Sequence, residues 1–261
     1  MQFSLLKTLS MRLMYPIGGV ILLLIIWWYG GYLIASNPDT EVFAGFAPAP
    51  TLQRLVELAA SGSLNETISS SLYRIGLGLF WAIVIGIPIG LALGFLVQLA
   101  NLTQVPFQFL RMISPLSWMP IAVLAFDTWD ASIIFLVTMA AVWPILFSTT
   151  HGVKRMDPLW FKVAKNLGAS HWQMLRRIII PAIAQDVLAG IRLAVGIAWV
   201  VLVPAEYLGV TSGLGYAIND ARDTLEYDTL AAIVVVIGII GYTLDSICVA
   251  LIRRSNWRVE S

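Results

Sequence analysis

Three ionisable residues lie inside apolar segments of this sequence, where a charged side chain is costly and usually faces protein or water. They are Arg111, Arg192 and Asp245, and each lies about eight to eleven residues from one end of its segment. At ~1.5 Å per helical residue, the three share a depth of roughly 12–16 Å. Opposite charges at one depth predict either a charge clamp that holds three helices together or an anion station on a transport path.

A second group of charges falls near the opposite ends of the apolar segments: Arg74, Glu206, Asp220 and Arg222. Because the group carries both signs, it predicts a charge network. Such a network could lock a closed gate or dock a partner protein, and the sequence favours neither role.

A proline-rich apolar segment at residues 103–126 is a candidate lining for a transport path. Its interior prolines, Pro115 and Pro120 among them, each remove a helical hydrogen bond and can kink the helix. Carbonyl groups freed at membrane depth are tolerated where protein or water covers them. Together with the apolar segment at residues 182–207, it supplies the predicted pathway residues: Ser117, Trp118, Met119, Arg192 and Trp199. The two tryptophans of this set are also compatible with simple packing.

Several kinds of chemistry are not expected. The sequence has no Gly-x-x-x-x-Gly-Lys-Ser/Thr motif, so it predicts no ATP hydrolysis in this chain. His151 and His171 have no neighbouring cysteine, and the one cysteine, Cys248, excludes an internal disulfide. We therefore expect no catalytic residue, no metal site and no cofactor in this chain. A net charge of +1 gives no reason to expect nucleic-acid binding.

Composition defines the elements that must position these residues. With 59% hydrophobic and 12% charged residues, the chain is too apolar for a soluble domain. Long apolar runs predict an all-α, polytopic membrane protein with six transmembrane helices. The predicted spans cover residues 16–35, 69–99, 103–126, 132–150, 182–207 and 229–252.

The remaining boundaries follow from these spans. Residues 1–15 and 253–261 are the predicted cytoplasmic ends, residues 36–66 form a periplasmic segment, and residues 67–252 form a core of five spans. The run at residues 16–35 resembles a signal peptide, but it is too long for the apolar region of one and is interpreted as an uncleaved helix.

Two patterns orient and pack the spans. Lysine and arginine concentrate in the two termini and in residues 151–180, a stretch called the basic loop below. This bias predicts that the termini and the basic loop are cytoplasmic. Gly86, Gly90 and Gly94 lie four residues apart, which permits close approach of another helix.

The basic loop contains two short amphipathic stretches separated by Gly168. Lys162-Val163-Ala164 begins the first, and Ile178, Ile180 and Pro181 end the second. This arrangement resembles the coupling loop of ABC-importer permeases, whose pattern is Glu-Ala-Ala, three residues, Gly, nine residues, Ile, one residue, Leu-Pro. Every spacing fits, while Lys162 replaces the Glu and Ile180 the Leu, so the role of that Glu is not carried over.

The resemblance extends from about Phe46 to Trp257 and is closest to the nitrate/sulfonate/taurine/bicarbonate branch. Its further matches are Leu167-Gly168-Ala169-Ser170, Gly190-Ile191-Arg192-Leu193-Ala194, Gly196-Ile197-Ala198-Trp199, Ala205-Glu206, Ser212-Gly213-Leu214-Gly215-Tyr216 and Asp220-Ala221-Arg222.

This resemblance implies the ABC type I importer permease fold, with ATPase-coupling residues Lys162, Ala164, Leu167, Gly168, Ala169 and Ser170. Six helices per chain are too few for a two-fold path, so we expect a homodimer in the bacterial inner membrane, with the glycine stripe and the third and fifth spans near its axis. The resemblance also implies two ATP-binding-cassette ATPase subunits that bind ATP and Mg, and a periplasmic solute-binding protein. The expected cargo is a small oxyanion, either nitrate, a sulfonate such as taurine, or bicarbonate, moved by alternating access.

Two other classes remain. A stand-alone secondary transporter or channel has no need of a cytoplasmic coupling loop. A purely structural membrane subunit has no need of charges inside its spans. The sequence itself names neither the anion nor whether the permease pair is homodimeric or heterodimeric.

Overall fold

The computed structural model describes residues 2–256, with side chains for residues 14–254. All secondary structure in that part of the chain is helical, which confirms the predicted all-α class. Residue 1 and the side chains up to residue 13, within the predicted segment 1–15, lie outside the described residues. Residues 257–261 of the predicted tail 253–261 also lie outside them.

The helices follow one another with short connections. They are α1 (Gln2–Ser36), α2 (Pro48–Ser61), α3 (Ser63–Phe95), α4 (Val97–Met112), α5 (Met119–Ala125), α6 (Trp129–Lys154), α7 (Pro158–Asn166), α8 (His171–Met174), α9 (Ile180–Gly209), α10 (Leu214–Asp223) and α11 (Tyr227–Asn256). Short 3₁₀ helices cover Glu41–Phe46 and Pro115–Trp118, and a π turn covers Leu175–Ile179.

Within residues 2–256, five helical stretches are long and apolar enough to cross a membrane, and a bent pair makes a sixth. In that pair, α4 meets the stretch Pro115–Ala125 at 89°. The predicted third span, residues 103–126, is therefore broken rather than continuous. Ser114 has an extended backbone with ψ 129°, because a residue that precedes proline is pushed out of the helical region.

The basic loop is shorter than the predicted range 151–180. Helix α6 continues to Lys154, and the stretch from His171 runs through the π turn into α9 without a break. Pro181 lies at the start of α9, where its ring would collide with the carbonyl four residues before it in a regular α-helix. The wider π turn before it accommodates that proline.

The chain divides into two compact units: a small unit of residues 1–65 and 217–236, and a large unit of residues 66–216 and 237–261. In the small unit, the Phe43 and Phe46 rings lie 4.9 and 5.2 Å from the Tyr227 ring. Arg54 donates to Thr229 Oγ1 at 2.9 Å, and the Glu57 carboxylate that accepts from it raises the pKa of the Arg54 guanidinium. These contacts fix the segment before α3.

The large unit is built around α6. Ile133, Leu136 and Ile145 of α6 are fully buried, and α9 packs along them through Ala194 and Ala198. The contact between α6 and α9 is extensive. Small residues at four-residue spacing on α9 therefore pack closely.

The glycine stripe of α3 also contacts α6. A Cβ atom at Gly90 would lie 2.7 Å from the Leu146 carbonyl oxygen, and Thr150 donates to the Gly90 carbonyl at 3.1 Å. Gly86 faces Ile145, and Gly94 faces Val153, both from α6. Close helix approach is thus confirmed, but it joins two helices of one chain. The position of the stripe near a dimer axis stays a prediction.

Candidate functional site

A buried charge network, called the Arg74 knot below, joins α3, α6, α9 and the loop before α10. The Arg74 side chain is 3% exposed and that of Glu206 is fully buried, with Nη1 2.7 Å from Oε1. Arg74 also donates through Nε to Asp130 Oδ1 at 2.8 Å and through Nη2 to Ser212 Oγ at 2.7 Å. Four elements distant in sequence are thus held by one guanidinium.

The Glu206 carboxylate of the Arg74 knot also accepts hydrogen bonds from Ser71 and from a backbone amide. Ser71 donates to both Glu206 oxygens at 2.8 and 2.9 Å, and the backbone amide of Gly215 donates to Oε2 at 3.0 Å. Gly213 has φ +101°, and a Cβ there would lie 2.5 Å from Glu206 Oε1. Among residues 14–254, no buried side-chain polar atom lacks a hydrogen-bond partner.

Of the predicted charge network, Arg74 and Glu206 form the core of the knot. Asp220 and Arg222 belong to the small unit, where Arg222 donates to Asp223 at 2.7 Å. Sequence reasoning missed three other members of the knot: Ser71, Asp130 and Ser212. The available signal was Ser212-Gly213-Leu214-Gly215, because a turn with two glycines allows backbone to approach a buried side chain.

The predicted charge clamp is a pair rather than a triad. Arg192 Nε and Nη2 donate to the two Asp245 oxygens at 2.7 and 2.9 Å. The two side chains are 46% and 48% exposed in the single chain. Arg111 lies elsewhere: it donates to Gln108 Oε1 at 3.4 Å and its guanidinium stacks 5.1 Å from the Phe147 ring centre.

The predicted pathway residues are dispersed. Arg192 lines a cavity of about 740 Å³ between α9 and α11, together with Asp245 and the apolar Ile197 and Val200. Trp199 packs against Gly241 of α11. Ser117 is exposed, while Met119 is buried in the core and Trp118 packs against that core.

The basic loop turns sharply at Gly168. Asp157 caps α7 by accepting from the Leu159 amide at 2.8 Å, and α7 ends where Gly168 takes the left-handed φ of +77°. Ser170 then begins α8 with a capping box, accepting from the Gln173 amide while the Gln173 side chain accepts from the Ser170 amide. Only a residue that tolerates positive φ fits the turn without strain.

The other predicted coupling residues surround this turn. Ala164 is buried and its carbonyl accepts from the Ala169 amide at 3.0 Å, whereas Lys162 is exposed. Leu167, at the apex, is 82% exposed. Four further apolar side chains of the loop are at least half exposed: Leu159, Trp160, Val163 and Trp172. A bent, capped knob thus presents apolar side chains that nothing in the described chain covers.

A metal site would need several His, Cys, Asp or Glu side chains close together. Among the described residues, no group of three or more His, Cys, Asp or Glu side chains could hold a metal ion. What the arrangement provides is a continuous helical connection from the basic loop, through the π turn and α9, to the Arg74 knot.

Such a bundle, with five to six membrane-spanning stretches and a projecting capped loop, defines a multi-pass membrane transport component. Residues 82–259 match the family of binding-protein-dependent transport system inner membrane components. The chain belongs to this family, and it is a permease subunit of the type I ABC importers.

Named relatives agree with that membership. The chain is 33% identical over 82% of its length to the taurine transport system permease protein TauC of Escherichia coli K12, covering 81% of that protein. It is 36% identical over 70% of its length to the bicarbonate transport system permease protein CmpB of Synechococcus elongatus, covering 66% of that protein. It is 32% identical over 81% of its length to the putative aliphatic sulfonates transport permease protein SsuC of Bacillus subtilis, covering 77% of that protein.

A solved structure shares the fold. The MetNI methionine ABC transporter, in an inward facing conformation, superimposes with a TM-score of 0.57 and covers 74% of this chain and 95% of its own. Sequence identity is 15%, so this likeness establishes the fold alone.

Proposed function

We propose that the chain carries a small oxyanion through an ATP-driven importer by alternating access. The proposed assembly contains a second copy of this permease, two ATP-binding-cassette ATPase subunits that bind ATP and Mg, and a periplasmic solute-binding protein. The proposed location is the bacterial inner membrane, with both termini and the basic loop in the cytoplasm. The bias of lysine and arginine toward those segments supports this orientation.

The observation that carries the proposal is the shape of the basic loop. Leu167 projects from a turn whose backbone is fixed by Gly168 and by the Ser170 capping box. Exposed apolar side chains on a rigid projection are the expected anchors of a docking surface, because anchors fill partner pockets at low entropic cost. An ATPase subunit is the partner that a permease of this class requires.

One continuous helical stretch connects the basic loop to the opposite ends of the spans. The helical stretch from His171 to Glu206 spans roughly 50 Å at ~1.5 Å per residue. A displacement of the loop by an ATPase therefore reaches Glu206, where the Arg74 knot would lock the outer face closed or release it. Domain motions of this kind turn nucleotide-driven closure into a change of access.

The nature of the cargo rests on the relatives. Their printed names include taurine, aliphatic sulfonates and bicarbonate, and all of these bear a compact oxyanion group. Nitrate fits the same size and charge. The Arg111 guanidinium, beside a cavity, supplies planar donors of the kind that binds oxyanions.

Reconstitution tests the proposal. The complete complex, in proteoliposomes with its binding protein, should take up labelled taurine, bicarbonate or nitrate only when ATP is supplied on the ATPase side. Each accepted anion should also stimulate ATP hydrolysis. Uptake driven by an ion gradient without ATP would instead support a stand-alone transporter, and ATP-dependent uptake restricted to cations or neutral solutes would overturn the oxyanion assignment.

A further inference from the structure

A cavity of about 540 Å³ lies between α4 and α6, and its lining is unusually polar for a membrane segment. One face of α4 points into it, because Asn101, Gln104, Gln108 and Arg111 follow one another at helical spacing. One face of α6 completes it with Phe147, Thr150, His151 and Lys154. The adjacent face of α4 is apolar and exposed through Leu102, Val105, Phe109 and Met112. Helix α4 therefore divides an apolar surface from a cavity of hydrogen-bond donors.

The charges in this cavity are all of one sign. Arg111 and Lys154 line it, and no carboxylate from the described residues does so. Two other arginines inside the spans are paired with carboxylates: Arg192 with Asp245, and Arg74 with Glu206 and Asp130. Within the described chain, the contacts of Arg111 are only the Gln108 amide oxygen and the Phe147 ring. Its guanidinium therefore keeps donors available for an anion.

Arg111 lines two neighbouring cavities. It lines a second cavity of about 340 Å³ near Pro115 and Ser148, and Phe147 is shared with it. Leu193 and Ile197 are shared in turn between that second cavity and the one lined by Arg192. A solute that moves along this series passes the Arg111 guanidinium, and Phe147 holds that guanidinium in place through its ring.

We infer that the α4–α6 cavity is a binding station for a small oxyanion, with Arg111 as the principal contact and Lys154, Gln104 and Gln108 as further donors. A planar guanidinium binds two oxygens of such an anion at once. The absence of a permanent counter-ion among the described lining residues keeps the site attractive to anions, while its openness permits release. That the bound anion is the transported cargo rests on the proposed function, whereas anion binding itself does not.

Thiol modification measures the potential in the cavity directly. In the assembled complex in nanodiscs, Cys248→Ser removes the native thiol and Gln104→Cys places a reporter in the cavity. Two methanethiosulfonate reagents of similar size are compared, one carrying a sulfonate and the other a trimethylammonium group. The sulfonate reagent should react faster, and Arg111→Gln or Lys154→Gln should each lower the ratio of the two rates by about threefold or more.

Matched variants keep this test specific. Arg111→Lys retains the charge and should keep the ratio within about twofold, while Val97→Cys, exposed at the start of α4, should show no dependence on residue 111. Size-exclusion chromatography verifies that each variant assembles. If neither Arg111→Gln nor Lys154→Gln changes the ratio of the two reaction rates at position 104, the inference is overturned.

Uptake separates this inference from the proposed function. If Arg111→Gln abolishes the charge preference and slows oxyanion uptake about tenfold, both stand. If it abolishes the preference while oxyanion uptake is unchanged, the cavity is not a station for the cargo and that part of the inference fails alone. If the charge preference is present but the complex transports no oxyanion, the proposed cargo fails and the anion site remains.

Discussion

Two ion pairs made by α9, Glu206 with Arg74 and Arg192 with Asp245, have the same chemistry and different surroundings. Glu206, near one end, is fully buried with Arg74 and receives hydrogen bonds from a serine, a backbone amide and the guanidinium. Arg192, farther from that end, faces an open cavity and holds a half-exposed Asp245. A buried pair that loses one partner strands a charge. The Arg192 pair instead borders an open cavity, where both side chains remain accessible. The knot therefore fixes structure, whereas the Arg192 pair is free to change.

Glu206→Gln should have the largest effect on stability. It leaves Arg74 buried with one partly exposed carboxylate, and breaking a buried pair typically costs about 3–5 kcal/mol. Thermal unfolding of the purified complex should shift accordingly. Asp130→Asn is the matched control, since Asp130 is 54% exposed, and its shift should be much smaller. Equal shifts for the two variants would contradict the central place of Glu206.

Gly213→Ala should have the next largest effect. Its φ of +101° disfavours any side chain, and the added methyl group would approach Glu206 and Arg74. We expect a loss of about 1–3 kcal/mol in the free energy of unfolding. Gly238→Ala, within α11 and with open space around its Cβ, should instead be neutral or stabilise by up to about 1 kcal/mol. A harmless Gly213→Ala would show that the knot tolerates rearrangement of its turn.

Asp245→Asn should have the smallest effect on stability. Both partners of this pair are nearly half exposed and border an open cavity, so the loss of one partner strands no buried charge. Thermal unfolding of the complex should therefore hardly shift, in contrast to Glu206→Gln. A loss as large as that of Glu206→Gln would mean that assembly buries the Arg192 pair as deeply as the knot, and the comparison would fail.

Sequence patterns predicted the helical class and most of the spans, because long apolar runs leave a membrane chain few alternatives. They also located the turn at Gly168 and the packing face of α3. They did not predict the sharp break before Pro115, since proline signals a kink or a break equally well. From its depth along the helix, Arg111 was expected to lie beside Arg192. Depth alone, however, does not specify which face of a helix a side chain occupies. Asp130 and Ser71 were missed because nothing local marks them as partners of Arg74.

The proposed mechanism requires that an ATPase displaces the basic loop and that α9 carries this displacement to the Arg74 knot. The most direct measurement is ATP-dependent uptake by the reconstituted complex carrying Gly168→Val or Gly168→Asn. Asn tolerates positive φ, whereas a β-branched residue does not, and the space around a Cβ at this position is open. We expect Gly168→Asn to retain uptake and Gly168→Val to lose it while the complex remains assembled. Full ATP-dependent uptake by Gly168→Val would contradict this mechanism.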